Sequence, residues 1–166
     1  DYIANGYPKA AIVNFLCLQG WALDGETEVF DVDTFVENFD IENVQKAGAV
    51  FDIDKFRWLS ADTIRRMGIE ELSAEVSPFV VAVGQMSEAD IAGRKDWFQR
   101  LVAGEQERIE LFSEFPDRVT PFFEADDAVT YADKAEAGAR KHDARVEILG
   151  SFTEWLKGRD AGESAE

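Results

Sequence analysis

Residues 44–66, Val-Gln-Lys-Ala-Gly-Ala-Val-Phe-Asp-Ile-Asp-Lys-Phe-Arg-Trp-Leu-Ser-Ala-Asp-Thr-Ile-Arg-Arg, decide how this chain is read. The apolar run Ala49-Val50-Phe51 has the character of a short strand, and Asp52 is a natural N-cap for the helix that follows. Ile53, Phe56, Ser60, Ile64 and Met67 then fall roughly on one helical face, leaving Lys55 and Arg66 near the other. Gly68 is the expected stop. Arg57, Trp58, Arg65 and Arg66 all lie on this helix, so one rigid element carries three guanidinium groups.

Upstream, Pro8 suits a first helical turn, and Ile12, Phe15 and Leu16 recur at helical spacing as far as Gly20. Asp24-Gly25 marks a turn, Thr27 to Phe30 reads as extended, and a short helix from Thr34 to Phe39 follows Asp33 as its cap. Downstream, Ser77-Pro78 opens an apolar helix that ends at Gly84. Ser87 and Asp90 form a capping box for one long helix with the stripe Ile91, Phe98, Leu101, Val102, Ile109 and Phe112. Phe115-Pro116 breaks it, because the residue before proline avoids helical angles. A further segment runs to about Glu124. Thr130 and Asp133 repeat the capping pattern ahead of a last helix lined by Ala135, Ala139, Val146, Leu149 and Leu156. Residues 158–166 lack apolar anchors and are expected to be disordered. The fold class is mainly α, with no internal repeat.

With 166 residues and 46% hydrophobic content, the chain can build one domain or two small ones. Thirteen phenylalanines and four tryptophans supply the large buried surfaces. No run approaches the roughly 20 apolar residues that cross a bilayer, and the start does not read as a signal peptide. That start, at Asp1 rather than a methionine, has the character of a cut from something longer. A single cysteine, Cys17, fits a reducing cytoplasm, and its neighbours Phe15, Leu16 and Leu18 mark it as core packing. Thirty-four acids against seventeen bases leave a net charge of −17, the wrong sign for a general nucleic-acid binder. Either the acidic surface is an adaptation to salt, or any RNA contacts are few and local within an exterior that repels other polyanions.

Constellations that do chemistry are scarce. His142, the one histidine, sits at helical spacing between Ala139 and Val146 and reads as a boundary residue. One histidine and one cysteine are too few for the usual zinc ligands. Asp52/Asp54 and Glu124/Asp126/Asp127 are explained by helix capping and solvated loop charge better than by a divalent ion. No phosphate-cradling glycine loop occurs.

From Ala11-Ile12-Val13-Asn14-Phe15-Leu16 to Gly20-Trp21, through Glu26-Thr27-Glu28-Val29-Phe30 and on to Ala49-Val50-Phe51-Asp52, the chain resembles bacterial-type glutamyl-tRNA synthetases past their catalytic domain. The likeness runs from Asp1 to about Lys157, strongest over residues 8–66 and again from Glu107 to Phe123. It departs at Ser60-Ala61, where the family often has Asn-Gly before the Ile-Arg pair matched here by Ile64-Arg65. A local turn or a backbone contact to RNA is open at that point. The resemblance implies a helical stem-contact region over 1–68, an α-helical anticodon-binding cage over 69–157, and a tail at 158–166. The class I signatures of the His-x-Gly-His and Lys-Met-Ser-Lys-Ser types are absent, so no catalytic residue is expected in this chain. ATP and magnesium belong to the parent enzyme, a glutamate–tRNA ligase, and no cofactor or metal is expected here. The implied partners are tRNA(Glu) and the parent's catalytic domain. No membrane partner is implied, and the expected state is monomeric.

Arg108, in Glu105-Gln106-Glu107-Arg108-Ile109-Glu110-Leu111, matches the position where some members carry an arginine that reads the last anticodon base. Arginine offers only donors, cytosine's pairing edge offers N3 and O2 as acceptors, and guanine presents donors there. Glutamate anticodons end in cytosine and glutamine anticodons in guanine, so such an arginine favours the former by roughly 1–3 kcal/mol. The bland reading pairs Arg108 with Glu105 or Glu107 on the surface. Arg100 is a second anticodon-side candidate, and Arg57, Arg65 and Arg66 are candidate tRNA phosphate contacts. Lys141 and Arg145 make a smaller basic patch beside Asp143 and Glu147. Trp58, Trp97 and Trp155 could stack on bases but sit in or beside apolar stripes, so core packing is expected. The rival function is a protein-interaction scaffold whose acidic face takes a basic partner. An independent hydrolase finds no nucleophile, base or metal set.

Overall fold

The structure, a computed structural model, describes residues 1–45, 48, 50–124 and 145–160. They are mainly α-helical, and no strand occurs among them. Contacts group the chain into two units, Asp1–Phe123 and Glu124–Glu166.

The first unit begins with α1 (Lys9–Leu18), entered at Pro8, whose ring fixes φ at −58°. Its buried face is Ala11, Asn14 and Phe15, while Leu16 points outward. Asn14 is buried because its amide does backbone work: Nδ2 donates to the carbonyl of Glu28, and Oδ1 accepts from the Phe30 N–H. The 27–30 segment therefore needs no strand partner. Asp24 accepts from the N–H groups of Glu26 and Thr27, which closes the turn with Gly25 at φ +84°. The next helix, α2 (Val32–Asn38), is capped by Asp31, which accepts from Thr34 N–H, and not by Asp33. The spacing misplaced it by two residues because Asp31 and Asp33 are equally good caps on paper.

Asp52 caps α3 (Ile53–Arg66) as expected, accepting from Lys55 N–H. Of the run before it, Ala49 lies outside the described residues; Val50 and Phe51 are not in a strand, Val50 being 83% exposed and Phe51 lying against Tyr2. Ile53 is exposed, whereas Phe56, Leu59, Ser60, Ala61 and Ile64 are buried. Phe56 is the hub of an aromatic stack with ring centroids 4.1 Å from Tyr7 and 4.5 Å from Phe15. A helix α4 (Ile69–Ala82) follows at once from Gly68, eight residues before the start that Ser77-Pro78 suggests. Pro78 sits inside it on an exposed face, so the carbonyl left without its N–H is turned to water. Gly84, at φ +76°, ends α4 in a Schellman arrangement: its N–H reaches Val81 O and the Gln85 N–H reaches Val80 O.

The long helix expected from Ser87 is divided. Its capping box is present and opens α5 (Glu88–Gly93), but Arg94 leaves helical angles and α6 (Lys95–Glu105) begins anew. A 3-10 turn, Gln106–Arg108, follows, and Ile109 and Leu111 are extended. Pro116 therefore breaks nothing; it occupies the first turn of α7 (Phe115–Val119). The apolar residues of the stripe are right and their continuity wrong: Phe98, Leu101, Val102, Ile109 and Phe112 are all buried.

Two cores result. One gathers Tyr7, Phe15, Phe56, Leu59 and Leu111; the other runs from Ile64 through Val76, Phe98 and Val102 to Phe115 and Val119. Both draw on α3, and Asp1–Phe123 forms one unit.

In the second unit α8 (Arg145–Asp160) continues past Lys157, beyond the point where disorder is expected; residues 161–166 lie outside the described residues. Ile148, Leu149, Phe152 and Trp155 are exposed, and the rings of Phe152 and Trp155 stack at 5.6 Å. His142, Lys141, the Thr130–Asp133 cap and Asp126/Asp127 lie outside the described residues. Among the described residues no helix is long and apolar enough to cross a membrane.

Two predictions follow from local geometry. A Cβ on Gly6, at φ +90°, would stand 2.5 Å from the backbone nitrogen of Ser113, whereas one on Gly25 meets nothing. Gly6→Ala should lower stability by about 2 kcal/mol or more, Gly25→Ala by about 1 kcal/mol, read from urea midpoints. Equal losses would show that the Gly6–Ser113 approach is not formed. The second concerns acid. Asp90 is held below the usual carboxylate range by the Ser87 hydroxyl and then by the Ser87 N–H, and Asp31 by the Thr34 N–H. A depressed folded pKa gives stability above the unfolded value that is lost as pH falls through the folded one. The gap in urea midpoint between wild type and Asp90→Asn should therefore be constant near neutral pH and shrink from roughly pH 5 downward, as the carboxyl takes up its proton.

Candidate nucleic-acid interface

Arg57, from the middle of α3, is committed within the chain. Its Nε lies 2.6 Å from Glu110 Oε2 and its Nη2 2.5 Å from Glu114 Oε1. The Glu110 bond, ahead of the Glu114 bond, pushes the guanidinium pKa up against the opposing pull of burial. Glu114 in turn accepts from the Glu110 N–H at 2.9 Å. A guanidinium with two carboxylates on its donors is a poor phosphate grip, so Arg57 joins α3 to the 110–114 segment instead.

One turn further on, the departure at Ser60-Ala61 is resolved. Both residues are buried mid-helix, and the Ser60 hydroxyl donates to the Glu110 carbonyl. No turn and no RNA-accessible backbone exists there. Small side chains suit a helix that another segment lies against this closely.

Arg65 and Arg66 close α3, where cations favour the carbonyl end of the helix. Arg66 is 67% exposed and forks onto Asp62 one turn back, with Nε 2.7 Å from Oδ2 and Nη2 donating to Oδ1 at 3.3 Å. Arg65 is half-buried and has no ion-pair partner among the described residues.

Arg108 ends the 3-10 turn with its side chain 64% exposed. Its Nη1 donates to Glu105 Oε1 at 2.9 Å, the pairing of the bland reading, while most of the guanidinium faces solvent. Two residues that sequence reasoning passed over hold this turn. Gln106 Nε2 donates to the carbonyls of Ile64 and Met67, both at 2.9 Å, with Arg65 O at 3.4 Å. Arg118 Nη2, from α7, donates to the Arg108 carbonyl at 3.0 Å. No spacing signal announces either, because both act across at least ten residues of sequence.

Arg100, on α6, is exposed and lines a cavity of about 310 Å³ with Trp97, Leu101, Gly104, Glu105 and Phe122. Glu105 is thus shared: it holds Arg108 and borders the Arg100 cavity. Trp97 is half-buried, with the Arg94 guanidinium 4.1 Å over its ring and Phe123 at its edge, which fits the expected packing role. Trp58 and Trp155 do not follow that expectation, being 45% and 52% exposed. The structure brings the C-terminal end of α3 and the Arg108 turn together through Gln106, and it pairs Arg57 with Glu110 and Glu114.

Other chemistry is thin. Burial holds the half-buried Cys17 thiol above its ordinary value, which disfavours the thiolate. Among the described residues, no three His, Cys, Asp or Glu side chains converge as metal ligands would.

A family model described as the catalytic domain of class I tRNA synthetases (E and Q) matches residues 1–58. The start of the chain therefore falls within the span of that model, whereas the motif reading set the whole chain past the catalytic domain. Curated relatives include glutamate–tRNA ligase 1 of Caldicellulosiruptor saccharolyticus, 34% identical over 123 residues, covering 74% of this chain and 25% of that protein. The glutamate–tRNA ligase of Heliobacterium modesticaldum is 30% identical over 162 residues, covering 96% of this chain and 32% of its own length. Among solved structures, a glutamate tRNA ligase from Elizabethkingia meningosepticum superposes with TM-score 0.75 at 21% identity, covering 92% of this chain and 29% of that one. The glutamate–tRNA synthetase of Elizabethkingia anophelis gives 0.69 at 20% identity, over 99% of this chain and 33% of that one. The chain thus spans a quarter to a third of the length of these proteins. In sequence the chain is similar to a part of these glutamate–tRNA ligases, and it shares the fold of a part of the two solved structures.

Proposed function

We propose that this chain is the tRNA-holding part of a glutamate–tRNA ligase, positioning tRNA(Glu) and reading its anticodon for glutamylation at an active site elsewhere in the parent enzyme. The observation that carries the reading is the exposed Arg108 guanidinium, set at the end of a turn whose backbone is held on two sides. Donors presented on a fixed backbone suit the acceptor edge of a final cytosine. Arg65 and Arg66 supply phosphate contacts along the arm, and Arg100 a further cation beside the Arg108 turn. The ATP and magnesium of the parent reaction are assigned no residue here, and the chain alone is proposed to be inactive in adenylate formation. A cytoplasmic, monomeric parent partnered by its own catalytic domain completes the reading.

The net charge of −17 favours a second reading, a scaffold whose acidic face binds a basic protein. The two diverge on RNA. Labelled glutamate and glutamine tRNAs titrated with the chain across a salt series should show preference for the glutamate species. Arg108→Gln should reduce that preference by about 5- to 150-fold, the equivalent of roughly 1–3 kcal/mol. Arg65→Gln should weaken both RNAs alike and reduce the steepness of the salt dependence by about one. Equal binding of both species, unchanged by Arg108→Gln, would establish the scaffold instead.

A further inference from the structure

We infer that Gln106 and Arg118 are positioning residues that set the aim of Arg108, an assignment that rests on the proposed reading of Arg108 as the base-contacting group. A guanidinium discriminates between acceptor and donor edges only if its backbone origin is fixed to a fraction of an ångström. A three-residue 3-10 turn between α6 and an extended segment supplies little stiffness of its own, because its hydrogen-bond geometry is poor.

The stiffness is supplied from outside. The Gln106 amide reaches across about 40 residues of sequence to carbonyls at the C-terminal end of α3, where Ile64 O also accepts the Met67 N–H. It occupies the Ile64 and Met67 carbonyls with its two hydrogens, with Arg65 O close by. This tethers the start of the turn to the helix that carries Arg65 and Arg66. On the far side Arg118 takes the Arg108 carbonyl itself, joining the end of the turn to α7. Glu105 then restrains the guanidinium through Nη1. The Gln106 amide thus links the helix end that carries Arg65 and Arg66 directly to the turn that carries Arg108.

The test uses the whole chain and the same two RNAs. Gln106→Met keeps length and bulk and removes both donors; it should cut the preference for the glutamate tRNA by about five-fold or more. The double variant Gln106→Met/Arg108→Gln should be no worse than Arg108→Gln alone, since the amide acts through the arginine. Arg118→Met, at an exposed side chain, should lower the same ratio, whereas loss of a plain phosphate contact would weaken both RNAs equally. It carries the test alone if Gln106→Met does not fold. If Arg108→Gln lowers the preference while Gln106→Met and Arg118→Met leave it intact, the inference is overturned and the reading of Arg108 stands. If Arg108→Gln itself changes nothing, both fall.

Discussion

The structure depends on one constraint: α3 must hold the 106–114 segment along its whole length. Ser60 is fully buried, an unpaired buried hydroxyl would be costly, and its hydroxyl is satisfied by the Glu110 carbonyl across the seam and not by its own helix. Arg57 grips Glu110 and Glu114 at one end, and Gln106 takes the α3 carbonyls at the other. Residues some 40 to 57 positions apart are thereby set in register. Everything outward-facing at the candidate interface is placed by this seam.

The acidic excess is easier to understand beside the geometry. Asp31, Asp40, Asp52 and Asp90 each accept a backbone N–H at a helix start, and Asp24 closes a turn. Glu110 and Glu114 neutralise a guanidinium, and Asp62 and Glu105 tether two others. Nine of the thirty-four acids thus have structural partners at helix starts, in a turn or on arginines. A chain built this way can carry a net −17 and still present a local donor surface, since screening confines each charge to about 8 Å at physiological salt. Such an exterior gives little attraction to polyanions in general, and any RNA recognition must come from placement.

Helix existence, the Asp52 cap, the Ser87–Asp90 box and the core identities of Phe15, Phe56, Phe98 and Val102 were legible, because period and capping are local properties. Continuity was not. The stripe from Ile91 to Phe112 keeps helical spacing across two breaks, since a core can be filled from consecutive short helices as well as from one. The start of α4 was hidden because Gly68 both stops one helix and precedes the next, and Pro78 suggested a beginning where the helix is already three turns old. At the interface, exposure of Arg108 and its pairing with Glu105 could be read from charge and spacing. That Arg57 is committed to two glutamates more than fifty residues away, and that Gln106 and Arg118 matter at all, could not, because those contacts exist only after the seam closes.

The unequal treatment of the arginines fits the different tasks proposed for them. Holding a phosphate requires charge within reach, and a flexible side chain satisfies it; Arg65 accordingly has no ion-pair partner among the described residues and ends a helix. Distinguishing one base edge from another requires direction, and direction must be inherited from the backbone. The chain directs its long-range side-chain bonds accordingly: Gln106 and Arg118 act on the backbone at each end of the Arg108 turn, and Glu105 on the side chain. The Arg118 bond to the Arg108 carbonyl lies at the surface and contributes well under the energy of one buried phenylalanine to stability. It has value if the direction of Arg108 is what the turn exists to maintain.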